Sequence, residues 1–488
     1  MAEESNLKTK TARGLWWGGM NNAVQQLLGV AFGIILGRLL YPEDYGMIAM
    51  ITIFSLLANE LQWSGFKPAL TNLKNPTHDD YNAVFWFNIT VSSSLYVVLF
   101  FCAPLIAAYY HKPALVPLCR YVFLGFVLSS LGAAQGAVLF KRLMAREQAI
   151  AGFTAVLLSN TIGVTMAYLG FRYWSLATQS LVYVATVSAL YWYYSPWRPS
   201  LRINLRPLKA MIGFSVKVMV TAIVNIINNN ILNVLLGRYY SVTETGYYNQ
   251  AFQWNVKSTY TLQGMVIQVA QPVLVEVGDN RERELRVLRK LVRFTSFVAF
   301  PVLLGFGMIA PEFITVTITE RWLPSASLLQ MLTVAGAFAP LTVLFHNTIM
   351  SHGKSNVYMW SSIALGVTQL TAIFSLLYCL RKPPIAVIVA AIVTVNVLWV
   401  PVWHHFVKRL TGYRVRHFLA DILPFLLVTV AVLAVTYFVT RGITTLWLLL
   451  TVRIVMAALL YCAVMKVARV VIFDETLAFL KSLFKKKH

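Results

Sequence analysis

A chain of 488 residues that is 58% hydrophobic, only 12% charged and +0.66 in mean hydropathy lies outside the soluble range, where about a quarter of residues carry charge. Its formal net charge of +23 does not read as a nucleic-acid footprint, because Lys and Arg concentrate in short loops on alternate sides of apolar runs. That pattern marks membrane topology and attraction to anionic lipid.

A bilayer crossing needs about 20 mainly apolar residues. In chain order, spans are predicted over 14–36, 46–66, 83–106, 115–137, 147–169 and 174–194, then over 211–235, 246–275, 291–316, 325–350, 356–379 and 384–407, and last over 419–440 and 446–468. The polar start MAEESNLKTKTARG runs into a full-length span without a small-residue cleavage site, so no removable signal is read there. The connector SPWRPSLRINLRPLK (195–209) is basic and broken by Pro196, Pro199 and Pro207. The basic run 276–293 is expected as a solvated cytoplasmic helix, and the tail VVIFDETLAFLKSLFKKKH as a basic interfacial helix. The alternation of basic loops places both termini in the cytoplasm. Cys102, Cys119, Cys379 and Cys462 all sit in apolar runs without a CxxC pair, which favours packing over disulfide or metal chemistry.

Two stretches 200 positions apart repeat one another. LGRLLYPEDYG (36–46) and LGRYYSVTETG (236–246) share the Leu-Gly-Arg start, an acid (Asp44, Glu244) and the closing glycine in register. Six predicted spans separate them, so the copies point the same way, as parallel repeats do. The expected architecture is all-α and integral to the membrane, with about fourteen spans. Residues 1–205 form a six-helix lobe with its connector, 206–410 a second six-helix lobe, and 411–488 a final pair with its tail. Duplicated bundles of this kind favour transport through a central cavity; the alternative is a duplicated packing corner with no pathway.

Hydrophilic groups inside spans are costly in lipid and face protein or water. On span 8, Gln250, Gln253, Lys257, Thr261, Gly264, Gln268 and Gln271 recur every three or four residues and share one helix face. Span 7 carries Lys217, Thr221, Asn225, Asn228 and Asn229. Span 1 carries Trp17, Asn21 and Gln25, and span 2 carries Asn59, Glu60 and Gln62. These four spans are expected to line one wet cavity; interhelical amide bonds are the competing use of any single Asn or Gln. Lys257 is expected to face the cavity, whereas Lys217 either does so or snorkels to the cytoplasmic edge. Their charge suits an anion such as a diphosphate. Glu60 is read as an ion or proton site, or as the structural partner of a lysine. Arg38 and Arg238 are read either as an outer gate or as caps on helix-end carbonyls. Arg120 and Arg453 are read as packing or headgroup contacts.

The stretches GVAFGIILGRLLYPEDYGMIAMITIF (29–54), LQWSGFKPALTNLKNPTHDDYNAVFWFNI (61–89), LGRYYSVTETGYYNQAF (236–252) and IMSHGKSNVYMW (349–360) resemble the polysaccharide-transporter family. These are Wzx-type flippases within the multidrug/oligosaccharidyl-lipid/polysaccharide exporter superfamily, and the similarity is greatest to the WzxC-type branch. Lys67 departs from the small residue usual after Gly-Phe in that family. The resemblance implies a transporter of the bacterial cytoplasmic membrane rather than an enzyme, with no cofactor. It implies movement of undecaprenyl-diphosphate-linked oligosaccharide between leaflets by alternating access, for O-antigen, capsule or exopolysaccharide synthesis. Membrane lipids, a polysaccharide polymerase and export machinery are the implied partners. On this resemblance Lys217 and Lys257 would hold the diphosphate, and Gln250, Gln253, Asn225, Asn21, Trp17 and Trp254 would line the cavity. A drug or cation antiporter of the same superfamily would want more intramembrane acids than Glu60. A membrane glycosyltransferase or polymerase could use Glu43 and Asp44, but it would normally add a large outer loop. Gly353-Lys354-Ser355 is not a P-loop, since Thr348 stands where its first glycine belongs.

Overall fold

The computed structural model describes residues 24–63, 70, 76–201, 204, 206–277 and 281–475, and among them there is helix and no strand. A lipid-embedded backbone must satisfy its own hydrogen bonds, and a helix does so within one segment. The first half comprises α1 (Val24–Leu39), α2 (Pro42–Trp63), α3 (His78–Tyr110), α4 (Leu115–Lys141), α5 (Ala145–Tyr168) and α6 (Tyr173–Tyr194). After the connector come α7 (Arg206–Tyr239), α8 (Val242–Val277), α9 (Arg281–Met308), the short α10 (Ala310–Ile318), α11 (Leu323–Ser351), α12 (Ser355–Leu380) and α13 (Ile385–Thr411). The last pair is α14 (Val415–Thr440) and α15 (Leu446–Val467). Among the described residues nine helices are long and apolar enough to cross a membrane. The chain is a multi-pass membrane protein.

Two compact units partition the chain, Met1–Gly246 and Tyr247–His488. In the first, α7 packs on α2 and α3, which carries the unit boundary to Gly246. Small residues let its helices approach closely. Gly132 and Gly136 of α4 meet Ser188 and Tyr191 of α6; a Cβ on Gly132 would lie 2.8 Å from the Ser188 Cα. Gln179 of α6 donates to Asn160 of α5 at 2.7 Å. The aromatic residues Tyr81, Phe85 and Trp197 form a separate small core. The connector is stapled beside it, with Trp86 donating to the Ser200 carbonyl at 2.8 Å and the Ser200 amide to Asn82 at 2.9 Å.

The second unit is built around Phe300, Leu341, Phe345, Trp403, Tyr413 and Phe418. Gln369 of α12 donates to Asn396 of α13 at 3.2 Å. In each half, therefore, the fifth and sixth long helices are joined by one Asn–Gln amide bond. The basic run keeps Arg281, Arg283, Arg286, Lys290 and Arg293 exposed, as expected of a solvated helix, but its other face is packed. Glu284, Leu288 and Val292 are buried on one face of α9, while Arg289 and Arg293 converge on the buried Asp421 of α14. Tyr413 completes this cluster by donating to Asp421 at 2.9 Å, and burial together with that carboxylate pushes its phenol pKa up. The four cysteines are free thiols, with Cys379 and Cys462 exposed.

Candidate functional site

The α8 helix has two faces that differ in every respect. On one, Trp254 is buried edge-on against Phe313 at 5.0 Å. Asn255 and Thr259 press on Gly336 of α11, where a Cβ would sit 2.6 Å from the Asn255 side-chain oxygen. On the other, Gln253 and Thr261 are exposed, Lys257 is half-buried, and a Cβ on Gly264 would meet nothing within 4 Å. The 3.6-residue period puts Gln253, Lys257, Thr261 and Gly264 on that open side. The Lys257 ammonium lies 4.9 Å from the centroid of the Trp254 ring, a cation–π contact that steadies the charge without neutralising it. Gln250, expected in the same stripe, is instead 5% exposed. Trp254 likewise reaches the site only as the surface beneath Lys257. The side chains of Gln268 and Gln271 lie outside those described.

Gln25 of α1 and Asn225 of α7 are half-buried, and each is engaged by a neighbour. Lys217 lies in α7, but its side chain falls outside those described, as do Trp17 and Asn21 entirely. Glu60 is half-buried on α2 and makes no ion pair among the described residues. Arg120 stacks on Phe100 with its guanidinium 4.1 Å from the ring centroid.

The repeated corners are helix starts. Tyr41 precedes α2 and its amide donates to Asp44 at 3.0 Å. Ser241 precedes α8 and forms a reciprocal capping box with Glu244, with amide-to-side-chain bonds of 3.0 and 3.1 Å. The acid thus falls in register because each copy needs it at the third helical position, where it satisfies an otherwise orphaned amide. Asp44 is 1% exposed and also pairs with Arg172 at 3.2 Å, while Glu43 takes the same guanidinium at 2.9 Å. Both acids are committed to structure, which removes them as catalytic groups for a glycosyltransferase. Arg238 donates to the Tyr109 carbonyl and contacts His111, so it anchors the end of α7 to the α3–α4 turn. Arg38 is exposed.

Besides Glu284, two buried acids, Asp421 and Glu312, escaped the sequence reading because they sit near predicted span ends. Asp421 is described above. Glu312 of α10 pairs with Arg453 of α15 at 2.6 Å, and both are nearly fully buried. Arg453 also donates to Thr440 at 3.1 Å. The arginine assigned to packing was the only available hint, since a buried cation demands a counter-charge.

A family model described as "Polysaccharide biosynthesis protein" matches residues 35–327, from the first glycine corner through α8 and α10. The chain belongs to this family. Its relatives include the lipopolysaccharide biosynthesis protein WzxC of Escherichia coli (strain K12), 25% identical over 338 residues, 68% of each chain. The succinoglycan biosynthesis transport protein ExoT of Rhizobium meliloti (strain 1021) is 24% identical over 76% of this chain and 75% of its own. In fold the chain is similar to the lipid II flippase MurJ in an inward closed conformation, with a TM-score of 0.72 at 13% identity, covering 96% and 99% of the two chains. An inward-facing MATE-family multidrug transporter follows at 0.64 and 14%, covering 80% of this chain and 95% of its own.

Proposed function

We propose that the protein is a flippase that carries a polyprenyl-diphosphate-linked oligosaccharide across the bacterial cytoplasmic membrane for cell-surface polysaccharide synthesis. The open polar face of α8, with Lys257 at its centre, carries this reading. A lysine amid glutamine and threonine on an exposed helix side is placed to attract an anionic headgroup, while amides and hydroxyls can exchange hydrogen bonds with sugar hydroxyls. The prenyl tail needs no polar path and can stay in lipid. Family membership and the names of WzxC and ExoT support the polysaccharide class. Lys217, Asn225, Gln25, Asn21 and Trp17 are proposed to extend the same substrate surface on the strength of their periodic placement. Gln250 and Trp254 support it from behind. Glu60 is proposed as a coupling group. The lobes 1–205 and 206–410, with the final pair 411–488, are proposed as the units of the duplication, and both termini as cytoplasmic. A polymerase and export machinery are the proposed downstream partners.

Deletion of the gene followed by analysis of lipid-linked intermediates tests this. Repeat units should build up on the cytoplasmic leaflet, and the intact chain should clear them. Normal delivery to the outer leaflet without the protein would refute transport of that lipid.

A further inference from the structure

The charge cluster where α9 meets α14 is not balanced. Arg289 reaches Oδ2 of the buried Asp421 through Nε at 2.8 Å and Oδ1 through Nη2 at 3.0 Å. Arg293 reaches Oδ1 through Nε alone, and the Tyr413 hydroxyl donates to Oδ2 at 2.9 Å. A carboxylate offers about four acceptor positions, so this one has none left. The guanidinium groups do have donors left. Nη1 of Arg289 and both Nη atoms of Arg293 have no partner among the described residues. The arginine side chains are 28% and 45% exposed while that of Asp421 is 0% exposed, which turns the unused ends of the forks toward the surface.

Two further cations extend the same side. Arg286 is exposed one turn before Lys290, and Lys290 pairs with Glu475 at 2.7 Å. Positions 286, 289, 290 and 293 recur at helical spacing and share one side of α9. Among the described residues these four cations face two carboxylates, Asp421 and Glu475, which leaves two positive charges in excess.

Depth decides what can answer that charge. Arg293 is the last charged residue of α9 and Asp421 the last of α14, since 294–308 and 422–440 hold no Asp, Glu, Lys or Arg. The cluster therefore stands where both helices enter the apolar layer. One turn below Arg293, Phe297 packs on Phe425, Tyr461 and Phe473 at ring separations of 6.1, 5.7 and 6.3 Å. Phe294 beside it is left 40% exposed. Guanidinium donors thus lie directly above an exposed apolar surface. A phosphodiester with acyl chains beneath it matches both parts. The flat arginine fork fits phosphate oxygens in pairs, and the chains cover Phe294.

We infer that Arg289 and Arg293, with Arg286 nearer the water, form a binding site for the phosphate of an anionic phospholipid in the leaflet beside the basic loops. The bound headgroup neutralises the excess charge and ties α9 to α14 and to the segment carrying Phe473. It thereby fastens the final helix pair in place. Basic loops attract such lipids without any fixed geometry, whereas forks pinned by a buried carboxylate select one. The site shares no residue with the α8 stripe and does not depend on the transport reading.

Native mass spectrometry of the full purified chain tests this, with titration by phosphatidylglycerol, phosphatidylcholine or inorganic phosphate. The parent should hold one phosphatidylglycerol about tenfold more tightly than phosphatidylcholine. Arg286→Gln/Arg293→Gln should abolish that preference. Lys408→Gln/Arg409→Gln, which removes the same charge from exposed positions at the end of α13, should keep it. Arg293→Lys retains the charge but loses the fork, so the preference should fall roughly fivefold. Arg286 is not bonded to Asp421, so Arg286→Gln alone should keep the parent's unfolding temperature and still weaken binding severalfold. A parent without headgroup preference, equal losses in the two double variants, or unchanged selectivity in Arg293→Lys would overturn the site. Displacement of the lipid by inorganic phosphate would also overturn it, by assigning the arginines to a soluble anion.

Discussion

The two faces of α8 spend hydrophilic residues in opposite ways. On the sealed side, Asn255 and Thr259 are pressed into the glycine step of α11 and Trp254 closes on Phe313. On the open side, Gln253 and Thr261 are exposed and Lys257 is half-buried over the Trp254 ring. The same unit repeats the sealed use at Glu312–Arg453 and at Asp421, where each buried charge is matched. A polar group in a membrane helix is thus informative only once its partner is known. Matched charges hold helices together, the side-chain oxygens of Asn255 and Thr259 are sealed without a hydrogen-bond partner among the described residues, and an open group is available to a ligand.

This contrast can be broken from the sealed side first. Arg453→Leu should leave the Glu312 carboxylate buried without its partner and cost about 3–5 kcal/mol, as losing one member of a buried pair does. Thermal unfolding in detergent would measure it. The double variant with Glu312→Leu should recover much of the loss, and equal destabilisation by both would show that shape, not charge, governs the site.

On the open side, Lys257→Ala should leave the unfolding temperature near the parent's while export falls roughly ten- to a hundredfold. That range corresponds to losing a charged hydrogen bond of about 1.5–3 kcal/mol. Polysaccharide complementation with a membrane-insertion control reads both quantities. A stability loss matching the activity loss would move Lys257 to the sealed class.

Gly336→Ala probes the boundary between the faces. Its methyl would press on Asn255 and Thr259, so overpacking of about 1–2 kcal/mol is expected, with some rotation of α8 and a partial drop in export. The smallest effect is expected at the amide ties. Gln179→Leu removes the bond to Asn160 and should cost about 0.6 kcal/mol, the usual worth of a polar pair between membrane helices. Chemical denaturation in mixed micelles would resolve it only in direct comparison with Gln369→Leu, the counterpart in the second half.

Much of the helical plan was legible in the sequence, because hydropathy and helix periodicity are local properties and lipid leaves the backbone few alternatives. The stripe on α8 was legible for the same reason, and Gln253, Lys257 and Thr261 do share an open face. Gln250 could not be distinguished from them. It lies on the same side by angle, but its burial depends on what packs beside that turn. The basic run at 281–293 was legible as a helix with an exposed basic face, but not the pairing of Arg289 and Arg293, because Asp421 comes from a helix more than a hundred residues later.

By itself, the amino-acid order determined that this chain is a helical membrane protein with a duplicated corner and one polar stripe, since each of these is written in spacing along a single segment. Which charges are neutralised, why the corner acids recur as caps, and that Gly46 packs on Val242 and Gly246 on Pro42 were decided only by the tertiary structure. Those facts belong to pairs of segments far apart in the chain, and the distance between them in space is not encoded in either one alone.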